Sequence, residues 1–237
     1  MTKMEEFRVG LIGVAGEDYL KAIYKLRAGG EAVTTQALAA RLSVAAPSAT
    51  AMVKKLAALG LVRHTPYRGV ELSEGGEKIA LEIIRHHRLV ETYLAEVLGV
   101  AWDKVHEEAE RWEHFLSEEV EARMAEALGN PTRDPHGAPI PTHDGRIAQD
   151  GWRALSHCSS GETAIVRRVS DENGETLRHL REVGLVPGAR LEILRAQRAE
   201  GVLQLRVDGK KRTIGATPAH VVYVEVLEKG DINENAG

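Results

Sequence analysis

The chain has 237 residues, of which 43% are hydrophobic and 28% charged, so it can bury a core and form two or three small domains. No apolar run approaches the roughly 20 residues of a membrane span, and the first fifteen residues lack the apolar stretch of a signal peptide. The single cysteine, Cys158, excludes an internal disulfide framework and a thiolate-rich zinc site. These features predict a cytoplasmic protein without a membrane partner.

The net charge of −4 conceals an asymmetry along the chain. Residues 16–78 carry nine Lys and Arg against six Asp and Glu, a net +3, whereas residues 79–145 carry six against fourteen, a net −8. A basic segment can contact nucleic-acid phosphates, and an acidic segment can contact cations. The charge pattern therefore favours two different partners for neighbouring parts of the chain.

The basic segment has the pattern of three short helices followed by a hairpin. Apolar residues at helical spacing predict helices over about residues 16–28, 34–42 and 47–59, with glycines after the first and third. Residues 61–63 and 70–72 then have the pattern of two strands around a tight tip. This order of elements predicts a winged helix-turn-helix, in which the third helix can enter the major groove of DNA.

The acidic segment is predicted to be helical, and the remainder is richer in strands. A long helix over about residues 77–98 is followed by a second over about 103–128, and the four prolines in residues 130–145 predict a loop. Short β-rich runs with one short helix then predict a small β-barrel. The fold class is mainly α with this appended barrel.

The predicted domains follow these changes of pattern. They are a DNA-binding winged helix-turn-helix at 1–78, with 1–15 flexible, a helical dimerisation and metal-binding domain at 79–145, a linker at 146–161, a barrel at 162–228 and a flexible tail at 229–237.

The outward face of the third helix carries the predicted DNA contacts. Hydroxyl side chains near its start can reach bases or phosphates, and lysines further along, with an arginine at the hairpin tip, can neutralise phosphates. The alternative is a small three-helix core whose outer face is only solvated. The predicted DNA-binding residues are Ser48, Thr50, Lys54, Lys55 and Arg68.

Histidines and carboxylates share faces on the two helices of the acidic segment. His87 and Glu91 are four residues apart and so lie on one face of the first helix. On the second, His106, Glu110, Glu113 and His114 form one stripe at helical spacing. The stripe is about 12 Å long at 1.5 Å per residue, too long for one ion.

Two neighbouring cation sites satisfy this spacing. One comprises His87, Glu91 and His106, and the other comprises Glu110, Glu113 and His114, which Asp18 on the first helix of the chain can complete. The alternative is a solvated face held by ion pairs to arginines. His86 points about 100° away from His87 and is interpreted as a structural histidine, and Trp102 and Trp112 are interpreted as core residues.

Several motifs in this order resemble the diphtheria-toxin-repressor family of iron- and manganese-dependent regulators. The resemblance extends over about residues 16–227. Its most specific carriers are Glu17-Asp18-Tyr19-Leu20, Arg85-His86-His87-Arg88-Leu89, the run from Lys104 to His114, Gly137-Ala138-Pro139-Ile140-Pro141 and the run from Leu177 to Gly188.

The resemblance implies a dimer, with Asp18, Glu110, Glu113 and His114 at the main regulatory metal site and His87, Glu91 and His106 at an ancillary one. Iron-type members carry Met and Cys where this chain has Asp18 and Glu110, and oxygen ligands suit Mn²⁺. Manganese-type members have a further Glu where this chain has Lys21, which puts a close two-metal cluster in doubt.

The predicted function is that of a repressor that uses Mn²⁺ as corepressor and binds palindromic operator DNA as a homodimer, with metal-uptake genes as targets. An Fe²⁺-responsive repressor is the alternative within the same family. A metalloenzyme and a DNA-binding protein indifferent to metal are the alternatives of other classes, the first lacking an evident general base.

Overall fold

The structure is a computed structural model that describes residues 11–30, 32–65, 69–170, 173–197 and 200–227. The chain divides into two compact units. Unit 1 extends to Leu89 and adds Glu110–Ala127 and Pro141–Ile147, whereas unit 2 comprises Val90–Ala109, Leu128–Ile140 and the residues from Ala148 onwards. The predicted flexibility of residues 1–15 lies mostly outside the described residues, and that of the tail 229–237 lies wholly outside them. The predicted domain boundaries stay predictions.

Unit 1 begins with three helices and a hairpin, in the order predicted for a winged helix-turn-helix. They are α1 (Gly13–Ala28), α2 (Thr35–Arg41), α3 (Ala46–Ala58), β1 (Val62–Thr65) and β2 (Gly69–Leu72). The Thr34 side chain accepts a hydrogen bond from the backbone N–H of Ala37 and so caps α2. The strands pair antiparallel, with Val62 opposite Leu72.

Apolar side chains from all three helices form the core of this part. Leu20, Ile23, Leu38, Val53 and Leu56 are fully buried, and they occupy the positions that the helical spacing assigned to the inner faces. The helix packing of the DNA-binding fold is therefore confirmed.

The first residue of β2 must be glycine. Gly69 has a φ of +97°, and a Cβ atom there would lie 2.6 Å from the carbonyl oxygen of Val33. The next residue, Val70, donates its N–H to that same oxygen at 2.8 Å. This hydrogen bond holds β2 against the segment before α2. Glycine is required at position 69 because a larger residue fits neither the positive φ nor the space beside Val33.

The acidic segment forms three helices rather than the two predicted. They are α4 (Glu74–Glu96), α5 (Val105–Trp112) and α6 (Glu118–Ala127). The prediction of one helix over 103–128 is wrong, because the chain leaves the helical path after Trp112 and a new helix begins at Glu118. Ser117 accepts the N–H of Val120 with its hydroxyl oxygen and the N–H of Glu121 with its carbonyl oxygen. A serine at this position favours the start of a new helix over continuation of the old one.

Most of unit 2 is a sheet domain. Its six strands have the order β3-β8-β4-β5-β6-β7, with α7 between β4 and β5 and α8 between β7 and β8. The elements are β3 (Arg153–Ala154), β4 (Thr163–Val169), α7 (Gly174–Val183), β5 (Arg190–Gln197), β6 (Val202–Val207), β7 (Lys210–Gly215), α8 (Ala216–His220) and β8 (Val222–Val226).

The sheet differs from the predicted barrel in two respects. In the described residues β3 and β7 are edge strands, so the sheet is open rather than closed. The predicted linker also contributes β3, which pairs with β8, and a 3₁₀ turn at Leu155–His157. Leu155 and Cys158 are fully buried in the apolar core of the sheet, so this stretch belongs to the domain that it was expected to precede.

No helix in the described part of the chain has both the length and the apolar character needed to cross a bilayer.

Candidate metal centre

Helix α1 presents one face with three charged side chains to the rest of unit 1. Glu17 and Lys21 are buried, and Asp18 is half-buried. Buried charges are stable only when they are paired or hydrogen-bonded. Their partners come from the end of α5 and the turn that follows it.

His114 lies at the centre of these contacts. Its Nδ1 donates to Glu17 Oε2 at 2.7 Å, whereas its Nε2 lies 3.1 Å from Asp18 Oδ1 and 3.2 Å from Glu113 Oε1. The ring is therefore oriented by Glu17 on one side and faces two carboxylates on the other. A carboxylate behind a histidine is the usual device that fixes the ring of a metal ligand.

Glu113 connects this histidine to two further groups. Its side chain is completely buried, Oε1 accepts from Lys21 Nζ at 2.5 Å, and Oε2 accepts from His87 Nδ1 at 2.5 Å. Lys21 also donates to Glu110 Oε1 at 2.9 Å. The ammonium group therefore lies between two of the carboxylates that were predicted to bind metal.

The pKa values follow from this arrangement. Burial alone would lower the pKa of Lys21, but Glu113 and Glu110 outweigh it and raise the pKa. Burial opposes ionisation of Glu110, yet Lys21 lowers the pKa of this carboxyl to about 2. Burial also disfavours the charged imidazole, but hydrogen bonds to Asp18 and Glu17 raise the pKa of His114 to about 9. In the absence of metal the carboxylates are thus balanced by an ammonium and an imidazolium group.

Asp18, Glu113 and His114 fit a divalent cation. One donor atom from each lies within 4.8 Å of the others, two being carboxylate oxygens and one an imidazole nitrogen. This donor set suits Mn²⁺ and other ions of borderline hardness. A bound ion would replace the proton on His114 Nε2, as ligand deprotonation requires. The Glu110 side chain is 40% exposed, and its Oε1 lies 2.9 Å from Lys21 Nζ.

The residues of the second predicted site are divided between the two units. Within unit 2, His106 Nδ1 lies 3.2 Å from Glu91 Oε1, and the Glu91 side chain is completely buried. His87 belongs to unit 1, where it donates to Glu113. The pairing of Glu91 with His106 supports the predicted grouping, and the participation of His87 in that group stays a prediction.

The predicted DNA-binding residues on α3 differ in their availability. Ser48 and Lys54 are exposed, whereas the Thr50 hydroxyl donates to the carbonyl oxygen of Ala46 at 3.0 Å. Lys55 Nζ lies 3.5 Å from the carbonyl oxygen of Ile12. Arg68 lies outside the described residues. Ser48 and Lys54 are therefore the two predicted contacts with the fewest competing interactions.

Three family models match the chain in succession. They are described as the N-terminal DNA-binding domain of iron-dependent repressors over residues 14–70, their metal-binding and dimerisation domain over 73–142, and a FeoA domain over 153–226.

Curated relatives align with most of this chain. The iron-dependent repressor IdeR of Mycobacterium leprae is 33% identical over 221 residues, which cover 88% of this chain and 96% of the relative. The diphtheria toxin repressor of Corynebacterium glutamicum is 33% identical over 224 residues, covering 90% and 96%. The chain belongs to the iron-dependent repressor family. It is thus a metal-dependent transcriptional repressor, and the metalloenzyme alternative is wrong because this family consists of DNA-binding regulators.

The solved structures agree with this membership. A manganese-dependent transcriptional repressor in complex with manganese matches with a TM-score of 0.85 and 38% identity, over 89% of this chain and 99% of that one. The three-part layout of the iron-dependent repressor family is therefore present here, with the open sheet as its C-terminal part.

Two carboxylates that organise the site of this repressor were missed by sequence reasoning. Glu17 lies about 100° around α1 from Asp18, so helical spacing gave no reason to join it to the metal-binding stripe. Glu121 lies in α6 and contacts Arg85 and His86, both on α4. The predicted structural role of His86 is consistent with these contacts, since its Nδ1 also lies 3.0 Å from the backbone oxygen of Glu113. Trp112, predicted to be a core residue, is 41% exposed.

We expect Glu121→Gln to lower the free energy of unfolding of the repressor at neutral pH by about 3 kcal/mol. Burial opposes ionisation of this carboxyl, but His86 and Arg85 lower its pKa from 4.5 to about 2. A group with a depressed pKa stabilises the fold above its unfolded pKa and loses that contribution as the pH falls. The difference between the two proteins should therefore shrink as the pH falls from about 4.5 to about 2.

Urea denaturation of the chelated proteins at several pH values measures this effect. Glu119→Gln is the control, because Glu119 is exposed and pairs with the exposed Arg123 in the same helix. Equal stability losses in the two variants would contradict a special role for Glu121.

Proposed function

We propose that this repressor responds to Mn²⁺, and that the ion enables a homodimer to bind a palindromic operator of metal-uptake genes. The observation that carries the proposal is the convergence of Asp18, Glu113 and His114. Asp18 lies on the first helix of the DNA-binding fold, whereas Glu113 and His114 belong to the segment described in this family as metal-binding and dimerising.

The three candidate ligands, Asp18, Glu113 and His114, couple metal binding to the position of the DNA-binding helices. When bound, the ion supplies the positive charge that lets the two carboxylates and the imidazole converge in their deprotonated forms. Asp18 is then tied to the turn after α5, and α1 carries α2 and α3 through the shared apolar core. A ligand that favours one arrangement shifts the equilibrium by its differential affinity, commonly about 1–3 kcal/mol.

The donor chemistry favours Mn²⁺ over Fe²⁺ as the corepressor. Asp18 and Glu110 provide oxygen at the two positions where iron-type members have sulfur, and harder oxygen ligands suit Mn²⁺. The structural relative with the TM-score of 0.85 is itself described as a manganese complex. IdeR, whose name describes an iron-dependent repressor, supports the iron alternative. A titration with Fe²⁺ in place of Mn²⁺ tests that alternative.

An exposed apolar cluster supports the homodimer. Trp112, Phe115 and Val120 are 41%, 78% and 49% exposed, and they lie close together in the sequence at the end of α5 and the start of α6. Large exposed apolar side chains are typical of protein interfaces. Their position within the segment described as dimerising favours a second copy of this chain as the partner. A twofold dimer would bind half-sites one helical turn apart or a multiple of it.

Operator binding by the chelated protein, titrated with Mn²⁺, tests the proposed function. The DNA is a duplex selected from a random library with Mn²⁺-loaded protein, and affinity is measured by fluorescence anisotropy at fixed salt. We expect Mn²⁺ to raise the affinity by about 10- to 100-fold. Equal affinity with chelator and with Mn²⁺ would identify a DNA-binding protein indifferent to metal. A larger response to Fe²⁺ under anaerobic conditions would identify an iron sensor.

Replacement of Lys54 tests the orientation of α3 on DNA. We expect Lys54→Ala to weaken binding to all duplexes alike and to reduce the salt dependence of affinity by about one charge, because lysine contacts phosphate as a point charge. Ser48→Ala, the matched change near the start of the helix, should instead alter the preference among sequences. Unchanged affinity and salt slope in Lys54→Ala would show that another face of α3 contacts DNA.

A further inference from the structure

The sheet of unit 2 contains a cavity of about 400 Å³ over strands β5, β6 and β7. Small-molecule sites usually have volumes of about 300–1,000 Å³. None of the residues at this cavity belongs to the predicted metal-binding or DNA-binding sets. The cavity is lined by Leu194, Gln204, Arg206, Lys211, Arg212 and Thr213.

The strand register brings polar side chains together on one face of the sheet. Arg206 on β6 lies opposite Lys211 on β7, and Gln204 lies opposite Thr213. Residues directly opposite each other in an antiparallel pair share a face, and successive residues along a strand alternate between faces. Leu205, between Gln204 and Arg206, is fully buried in the apolar core. The cavity therefore lies on the face that is turned away from that core.

An irregularity in β5 adds an apolar side chain to the cavity. The register between β5 and β6 shifts between Ile193 and Arg195, so Leu194 is the extra residue of a bulge. A β-bulge changes the direction of a side chain. The half-buried Leu194 lines the cavity and offers an apolar contact beside the polar groups.

Three of the lining side chains are cationic. Arg206 donates to Glu192 Oε2 on the neighbouring strand, and this carboxylate offsets its charge. Arg212 Nε lies 3.4 Å from the carbonyl oxygen of Val183. Among the residues that the structure describes, no carboxylate forms an ion pair with Lys211 or Arg212. Two positive charges at the cavity are therefore not balanced by the surrounding chain.

The chemistry of the lining groups matches an anion with several oxygen atoms. Guanidinium and ammonium groups form charge-assisted hydrogen bonds to carboxylates and phosphates, and a guanidinium group can contact two oxygens at once. The amide of Gln204 and the hydroxyl of Thr213 add neutral donors. A ligand with two negative charges would balance the two unpaired cations.

A purely protective role accounts for only part of this arrangement. In the described residues β7 is an edge strand, and lysines on an edge strand discourage pairing with other chains. That role explains cationic side chains on β7. It does not explain Arg206 on the interior strand β6, or the cavity that Arg206 and Leu194 help to form.

We propose that this cavity binds a small organic dianion whose charges are on carboxylate or phosphate groups. Lys211, Arg212 and the oriented guanidinium group of Arg206 contact the anionic oxygens, and Leu194 contacts the carbon skeleton. The site lies wholly within unit 2. The proposal does not depend on the response of the repressor to Mn²⁺.

Calorimetric titration of the full chain tests the site. Bound metal is removed with a chelator, and the chelator is then removed by dialysis because it is itself a polyanion. The ligands are succinate, inorganic phosphate and succinamide, which has nearly the size of succinate without its charges. Lys211→Gln removes one lining charge. Lys210→Gln is the matched control, because the exposed Lys210 lies opposite the buried Val207 and does not line the cavity.

We expect succinate or phosphate to bind wild type saturably and succinamide not to bind. Lys211→Gln should weaken the binding of the anion by about 5-fold, since a charge-assisted contact at an exposed site contributes modestly. Lys210→Gln should leave the affinity unchanged. Absence of saturable binding by both anions, or equal weakening in the two variants, would overturn the proposal.

A second variant makes the test independent of net charge. Thr213→Val removes a lining hydroxyl and keeps the size of the side chain, and thermal denaturation checks the fold of each variant. Weaker binding in Lys211→Gln or Thr213→Val, with full affinity in Lys210→Gln, would support the site. Full affinity in both cavity variants would place the anion elsewhere on the protein and overturn the proposal.

A DNA duplex without operator sequence tests whether this face docks a polyanion instead of a small molecule. The duplex is titrated into the wild type and both lysine variants at low salt. Weaker duplex binding in Lys211→Gln than in Lys210→Gln, together with no binding of succinate or phosphate, would assign the face to DNA and overturn the proposal. Equal duplex binding by the two variants, together with anion binding that depends on Lys211, would support it.

Discussion

We expect His114→Ala to abolish the increase in operator affinity that Mn²⁺ produces, a loss of about 10- to 100-fold at saturating metal. The imidazole contacts Glu17, Asp18 and Glu113 together, so it joins α1 to the turn after α5. Without it, the remaining carboxylates bind an ion weakly and no longer transmit its presence to the DNA-binding helices.

Fluorescence anisotropy with and without Mn²⁺ measures this response, and thermal denaturation of the chelated protein checks the fold. His143→Ala is the matched control, since His143 is exposed in the same unit and lies outside the predicted metal sites. Glu113→Gln should reproduce the effect, because it removes a charged ligand and keeps the shape of the side chain. A full Mn²⁺ response in both His114→Ala and Glu113→Gln would contradict the assignment of the regulatory site.

The second large effect is expected for Lys21→Glu. Its ammonium group donates to both Glu110 and Glu113 and is itself buried. Removal of one partner from a buried ion pair costs about 3–5 kcal/mol, and the introduced carboxylate adds like-charge repulsion. The chelated variant should therefore be much less stable than the chelated wild type.

Mn²⁺ should restore much of the lost stability, because ions that bind only the folded state stabilise it by mass action. The variant should also bind one more ion per chain than wild type, as the introduced carboxylate provides a ligand where the ammonium was. Thermal denaturation and metal counting measure the two effects. Lys78→Glu, an exposed change in the same unit, controls for the charge reversal. A variant that is equally unstable with and without Mn²⁺, and that binds no additional ion, would show that Lys21 does not occupy a cation position.

Local patterns predicted the DNA-binding part well. The helical spacing of Leu20, Ile23, Val53 and Leu56 assigned the buried faces of α1 and α3, and those side chains are fully buried in the structure. The wing was predicted from its position directly after α3. Apolar periodicity is a local property of the chain, so it can be recognised without knowing any long-range contact.

The metal centre was only partly predictable, because its geometry depends on a break in the chain. A continuous helix over 103–128 placed Glu110, Glu113 and His114 on one stripe. The structure instead ends α5 at Trp112 and places Glu113 and His114 in the following turn. Ser117 before three acidic residues in the first turn of α6 was a recognisable helix-start signal that favoured the break.

The features that could not be predicted from the sequence depend on contacts between residues that are distant in the chain. Glu17 and His114 are 97 residues apart, and no periodicity connects them. Asp134 and His136, in the loop after α6, each bring one oxygen or nitrogen atom within 4.8 Å of a Glu91 oxygen. This proximity depends on tertiary packing, which a sequence pattern does not encode.

The ammonium group of Lys21 also has a consequence for the dose–response curve. The Lys21 ammonium group, which is tethered to α1, occupies the space between Glu110 and Glu113. The regulatory centre of each subunit therefore has one position for a free ion, at Asp18, Glu113 and His114. Occupancy of that position should follow a hyperbola, with a Hill coefficient of one per subunit. Any steeper dependence of transcription on Mn²⁺ must then arise from the pairing of subunits on DNA or from ions bound elsewhere in the chain.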